Sequence, residues 1–138
     1  MVVVGQVGCG KTTLLHSLMN ETRKISGDQT VKGAVAYVEQ EPFIISGSIK
    51  DNILLGKVFD KEMFEKALKA SQLEHDIEKF KKREETVIGE RGINISGGQK
   101  ARISLARAVY SEADIYLLDD PLSAVDPQVA SDIFEHCI

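Results

Sequence analysis

Residues Gly5–Thr12 read GQVGCGKT, the pattern G-x-x-x-x-G-K-[ST]. Its chemistry is phosphate binding. Glycines at Gly5, Gly8 and Gly10 let backbone N–H groups converge on oxyanions with no Cβ in the way. A helix that starts at the loop adds the positive end of its dipole. Lys11 supplies a mobile charge for the outer phosphates, and the Thr12 hydroxyl is a ligand for Mg²⁺. The candidate phosphate cradle is therefore Gly5, Gln6, Val7, Gly8, Cys9, Gly10, Lys11, Thr12 and Thr13, with Cys9 a small residue contributing its backbone. A second element, Asp114–Asp119 (DIYLLD), is an apolar run that delivers one carboxylate, Asp119, toward a metal. A third, Ser96-Gly97-Gly98-Gln99, has two readings that can hold together. S-x-x-Q is a capping box, and two glycines in succession suit close approach of the backbone to an anion at that helix end.

These residues need elements to hold them. Val2–Val4 is a β-branched run suited to a buried parallel strand, and Leu14, Leu15, Leu18 and Met19 recur at helical spacing after the loop. Asn20–Lys32 is polar and irregular, and Gly33–Val38 reads as a strand that stops before Pro42. Ser48–Leu55 and Asp60–Ala70 read as helices, the second capped by Asp60 with Met63, Phe64, Ala67 and Leu68 on one face; Leu73, Ile77 and Phe80 extend its pattern. Lys79–Glu85 is a solvated charge run, and Thr86–Asn94 a glycine-bearing loop. A helix opens at Ser96 and runs to Tyr110, turning Ile103, Ala106 and Val109 or Tyr110 inward. Asp114–Leu118 is the next strand. The last helix starts at Asp126-Pro127 by N-cap and first-turn proline, with Ala130, Ile133, Phe134 and Cys137 as its apolar stripe. Strands alternating with helices imply an α/β fold with a parallel sheet.

The whole chain is 138 residues, room for one domain. Its net charge of −4 lacks the basic footprint of a nucleic-acid binder, so no nucleic-acid partner is expected. No apolar stretch approaches the roughly 20 residues that span a bilayer. Its two cysteines, Cys9 and Cys137, fall in unrelated settings and make no disulfide framework.

In the full set of motifs the chain resembles the nucleotide-binding domain of ATP-binding-cassette (ABC) transporters. The likeness runs through the phosphate loop, a glutamine loop at Gln40 (AYVEQEPFI), the signature Ile95–Gln99, the strand Ile115–Asp119 and a D-loop Ser123-Ala124-Val125-Asp126. Isoleucine replaces the usual first leucine of the signature. Thr86–Gly92 resembles the loop that marks exporters. GQVGCGKT with LLDDPLSAVD is most similar to the first nucleotide-binding domain of the C subfamily, the multidrug-resistance-associated proteins.

The resemblance implies a P-loop NTPase fold: a RecA-like parallel-sheet core (1–46 and 111–138) with an inserted α-helical signature subdomain (47–110), truncated at both ends. It implies ATP and Mg²⁺ as cofactors, with Thr12, Gln40 and Asp119 at the metal. It implies that a second cassette closes on this one head to tail, so that Ser96, Gly97, Gly98 and Gln99 reach the ATP held by the partner and Ser123 and Asp126 lie in the D-loop between them. Ser48–Leu55 would face transmembrane domains of the same transporter, at the cytoplasmic face of a membrane. Gln40 and Asp120 would be the catalytic pair. Asp120 departs from the family's usual glutamate, which polarises the attacking water. Aspartate and glutamate have nearly equal intrinsic pKa values, so reach is what changes. A misplacement of about 1 Å can cost about 100-fold in rate, or roughly 2.7 kcal/mol. The expectation is slow hydrolysis at this site, the signature serving a faster one. The family's adenine-stacking aromatic and switch histidine match nothing here; His16 and His75 are expected at the surface, and His136 lies in the last helix. A fragment that is marginally stable and inactive alone is expected on that ground. The other reading that the motifs admit is an ATP-gated regulatory module of a channel or receptor of the same subfamily.

Overall fold

The structure is a computed structural model that describes every residue except Ile93 and, of Arg91, only the backbone. The loop expected at Ile93 lies outside the described residues.

The centre is a parallel pair. β1 (Val35–Val38) runs beside β4 (Ile115–Leu118), with Val35 opposite Ile115 and Val38 opposite Leu118. Eighty residues separate the partners, and the crossover between them is largely helical, as parallel pairing demands. Gly33 turns the chain into β1 with φ 109°, and the Asp114 carboxylate accepts from Ala34 N at 2.7 Å, which aligns the two strand starts.

The crossover carries α2 (Ile49–Leu54), α3 (Lys61–Ala70), α4 (Glu74–Lys79) and α5 (Gly97–Tyr110). Three of them start by caps the sequence announces. Ser48 and Asp51 form a reciprocal capping box on α2, Asp60 accepts from Met63 N, and Ser96 and Gln99 form a second box on α5. Each such cap stabilises its helix by about 1 kcal/mol. α4 is a separate helix rather than an extension of α3, because Gln72 adopts φ 57° and breaks the spiral between them. A short antiparallel pair, β2 (Gly47–Ser48) with β3 (Val87–Ile88), lies over α2, and a 3-10 turn follows at Glu90–Gly92. The loop expected over Thr86–Asn94 is thus partly a strand, fixed by the full burial of Ile88.

Two apolar clusters result. The larger gathers Ile49, Ile53, Phe64, Leu73, Ile77 and Ile88 from the crossover; the smaller gathers Ala36, Val38 and Ile133 around the parallel pair. α5 divides them. It gives Ile103, Ala106 and Tyr110 to the first and Leu105 and Ala108 to the second.

Three further expectations are corrected. Val2–Val4 is not a strand: no strand lies beside it among the described residues to pair its backbone, and Val2 and Val4 are 83% and 89% exposed. α1 (Lys11–Leu18) forms as its spacing predicts, and none of its residues is fully buried. On α6 (Pro127–His136), Asp126 makes no side-chain cap hydrogen bond, although Pro127 starts the helix. The buried stripe of α6 is Val129, Ile133 and Cys137, spaced by four, which leaves Phe134 61% exposed.

Candidate functional site

The phosphate loop has the backbone its sequence requires. Gly8 and Gly10 take φ 82° and 96°, where a side chain would be strained, and Gly10 is the N-cap of α1 with no side chain to satisfy the helix-end amides. The first-turn N–H groups of a helix have no partner within it, so these are donors for an anion. Lys11 folds back over the loop, donating from Nζ to the carbonyls of Gly5 and Gln6 at 2.8 and 3.0 Å, with Cys9 Sγ at 4.0 Å. Gln6, Val7, Cys9, Thr12 and Thr13 are exposed around it. An ammonium held by two carbonyls and a thiol sulfur on an open surface is placed to move onto a phosphate.

Asp119 ends β4. Its backbone N–H continues the ladder by donating to Val38 O at 2.9 Å, and its side chain is only 6% exposed. Tyr37 Oη donates to Asp119 Oδ2 at 3.4 Å, and burial together with that carboxylate pushes the Tyr37 phenol up to about 12. His16 was expected at the surface; it is half-buried instead, edge-on to Tyr37 at 5.7 Å between ring centroids. The end of β4 is thereby linked through Tyr37 to α1, the helix that the phosphate loop opens. His75 and His136 are exposed.

Gln40 lies two residues beyond β1 and is exposed; Asp120 follows Asp119 and is exposed. Neither side chain makes a hydrogen bond among the described residues. Asp120 has φ 49°, and its carbonyl accepts from both the amide and the hydroxyl of Ser123 at 3.3 and 3.0 Å. Aspartate enters that left-handed region more readily than longer residues, so the backbone supplies a local reason for the shorter carboxylate.

The signature residues are more engaged than the motif alone reveals. Ser96 Oγ accepts from Gln99 N at 3.1 Å, and Gln99 Oε1 accepts from Ser96 N at 2.9 Å. The remaining Gln99 group, Nε2, donates to Asp76 Oδ1 at 2.9 Å, and Arg102 pairs with the other Asp76 oxygen at 2.6 Å. Gly97 and Gly98 face the D-loop: a Cβ at Gly98 would stand 2.9 Å from Ala124 O. Ser96, Gly97, Ser123 and Asp126 are exposed. The structure thus brings signature and D-loop together within one chain, and Asp119 next to α1 through Tyr37.

Sequence reasoning missed the ties that hold the glutamine loop. Arg107, on the last turn of α5, donates from Nε to Asn52 O and from Nη2 to Phe43 O, each at 2.8 Å, with its guanidinium 5.9 Å from the Phe43 ring. Burial lowers its pKa, and Glu39 opposes that. Asn52 is fully buried; its Oδ1 accepts from Ile45 N and its Nδ2 donates to the carbonyls of Ile45 and Ser48 at 2.9–3.0 Å. The available signal was an amide inside the apolar run of α2, a position that demands partners.

The three residues expected at a metal would offer hard oxygens only, one hydroxyl (Thr12), one carboxylate (Asp119) and one amide oxygen (Gln40), a chemistry that fits Mg²⁺ and no softer ion. No cluster of three or more histidine, cysteine or acidic side chains suited to a metal occurs among the described residues. A divalent ion here would keep phosphate and water ligands, as Mg²⁺ does. No helix among the described residues is long and apolar enough to cross a membrane.

A parallel α/β core with a glycine-lysine loop opening a helix defines the P-loop nucleotide-binding class. The ABC transporter family model matches residues 1–123, and the chain belongs to that family. It is 51% identical over 138 residues to mouse ATP-binding cassette sub-family C member 4, which covers all of this chain and 10% of that protein. It is 51% identical over 136 residues both to ABC transporter C family member 12 of Dictyostelium discoideum (99% of this chain, 10% of that protein) and to Metal resistance protein YCF1 of Saccharomyces cerevisiae (99% and 9%). The chain spans about a tenth of the length of the curated relatives it matches. It is an ABC ATP-binding region of the C-subfamily kind; such regions bind ATP, generally with Mg²⁺, and the family in general hydrolyses it.

Proposed function

We propose that this chain is the ATP-binding engine of an exporter, working from the cytoplasmic face of a membrane and closing on ATP with a second cassette. The observation that carries the reading is the Lys11 ammonium, resting on two carbonyls over an uncapped helix start. Lys11 exchanges those carbonyls for the β- and γ-phosphates, and the amides from Gly5 to Thr13 surround them. Thr12, Gln40 and Asp119 would hold Mg²⁺, which would supply charge neutralisation to the phosphates. Ser96, Gly97, Gly98 and Gln99 present a capped helix start to the ATP of the companion cassette, and Ser123 and Asp126 border the same seam.

We divide the chain into a core (1–46 and 111–138) and a helical part (47–110); each has an apolar cluster, with α5 serving both and Ile44 packed in the helical one. Ser48–Leu55 faces the transmembrane domains of the same transporter, and Leu55 at its end is exposed.

Asp120 makes this site slow. Its carboxylate is one methylene short of the usual water-polarising group, and its backbone conformation suits the shorter residue. The test is made in the full-length polypeptide. Photolabelling by 8-azido-ATP on the fragment that carries these residues should fall at least tenfold in Lys11→Ala, and Asp120→Glu should raise single-site turnover. Labelling indifferent to Lys11 would sink the ATP reading; turnover indifferent to Asp120→Glu would sink the slow-site reading alone.

A further inference from the structure

The Tyr37 hydroxyl stands between two acceptors. Oη is 3.4 Å from Asp119 Oδ2 and 3.3 Å from His16 Nε2, while His16 Nδ1 is 3.2 Å from Glu21 Oε2. A phenol has one proton to give. The Asp119 carboxylate accepts; His16, in the tautomer that turns its Nδ1–H to Glu21, presents a lone pair at Nε2. The two therefore compete for the same proton.

The setting makes that proton matter. The backbone of Asp119 is fixed by its bond to Val38, so only the carboxylate can turn. The side chain is buried, yet it has no ion-pair partner among the described residues, and Tyr37 is its one hydrogen-bond donor there. A buried carboxylate so poorly satisfied is costly unless a cation joins it. With Oδ2 held by Tyr37, Oδ1 stays open for that cation. Tyr37 itself is rigid: it sits inside β1 opposite Leu117, with Ala36 and Val38 buried on the other face.

We propose that Tyr37 is a positioning residue for the metal-binding carboxylate of Asp119, and that His16 draws it away by competing for the same hydroxyl proton. This rests on the reading of Asp119 as a Mg²⁺ ligand. The geometry makes opposite predictions for two neighbouring substitutions. Tyr37→Phe keeps the ring and loses the donor. His16→Leu loses the competitor and leaves Asp119 the stronger claim on the hydroxyl.

The experiment uses the full-length polypeptide, with 8-azido-ATP labelling read on the fragment that carries these residues, first in EDTA and then over a Mg²⁺ titration. Labelling in EDTA should be the same in all three proteins within about twofold. The half-saturating Mg²⁺ concentration should rise about tenfold in Tyr37→Phe, the lower end for loss of a group that orients a metal ligand. In His16→Leu it should fall about twofold, as expected when one proton has been shared between two acceptors at near-equal distance. An unchanged or lower Mg²⁺ requirement in Tyr37→Phe overturns the positioning role, and an unchanged or higher one in His16→Leu overturns the competition. Should Tyr37→Phe not fold, His16→Leu decides alone by the same criterion. Absence of labelling in the unaltered protein overturns the ATP reading itself, and this inference with it.

Discussion

Gly98 packs its bare Cα against the carbonyl oxygen of Ala124, so closely that a methyl group there would stand 2.9 Å from that oxygen. The start of α5 and the D-loop thus touch within a single chain, and the second glycine of the signature is the residue that permits it. Its neighbour Gly97 has room, with Ala124 Cβ at 4.0 Å from the corresponding position. Gly98→Ala should destabilise a folded domain that carries these residues by about 1–3 kcal/mol, the usual range for overpacking. Gly97→Ala should leave stability nearly unchanged. Urea denaturation of the two variants checks this; equal losses would show that the D-loop contact does not limit the site.

Arg107 holds two carbonyls, those of Phe43 and Asn52. Charge-assisted hydrogen bonds of this kind are worth about 1.5–3 kcal/mol, and their loss strands both acceptors. Arg107→Met should lower stability by about 2 kcal/mol, and Arg107→Lys, which keeps the charge but not the fork, should recover less than half. Protease cleavage within 40–47 should quicken in parallel. Cleavage at the unaltered rate would mean the glutamine loop is held elsewhere.

Asp51 lies below the ordinary carboxylate pKa of 3.8, chiefly because the Ser48 hydroxyl and amide hydrogen-bond to it. A depressed folded value contributes stability above the unfolded pKa and loses it as pH falls through the folded one. Melting between pH 5 and pH 3 should therefore cost the parent protein more than Asp51→Asn, whose cap has no carboxylate to protonate. Identical pH slopes would contradict the capping box.

Tyr37 gives the opposite sign. Its folded pKa of about 12 lies above the ordinary 10.0. Its contribution is complete below pH 10 and is lost as pH rises through 12, because the unfolded chain gives up the proton first. Thermal melts at pH 9 and pH 11 should separate the parent from Tyr37→Phe by their slopes, the parent falling faster.

What could be read from the residues was what is local. Caps depend on neighbours three apart, and the expected caps of Ser96 with Gln99 and Asp60 with Met63 both form. Helix faces were legible where a helix packs on one side, as on α3 with Phe64, Ala67 and Leu68. Pairing is not local. The run Val2–Val4 has strand-forming residues and no neighbouring strand among the described residues, and hydrophobicity alone cannot supply one. The stripe of α6 was misplaced at Phe134 because several residues satisfy a helical period and only the packing surface chooses among them. The phosphate loop could be placed from its motif, since glycines at Gly8 and Gly10 declare their backbone. Arg107 and Tyr37 could not: each acts on a partner at least 55 residues away, and no short pattern records that.

One helix walls off both apolar clusters, with Leu105 and Ala108 on one flank and Ile103, Ala106 and Tyr110 on the other. Neither lobe can open without exposing a side of it, yet either can open while the other keeps it in place. Amide protons of α5 should therefore be the last to exchange with deuterated solvent, and a partly opened chain should retain this rod as its final ordered element.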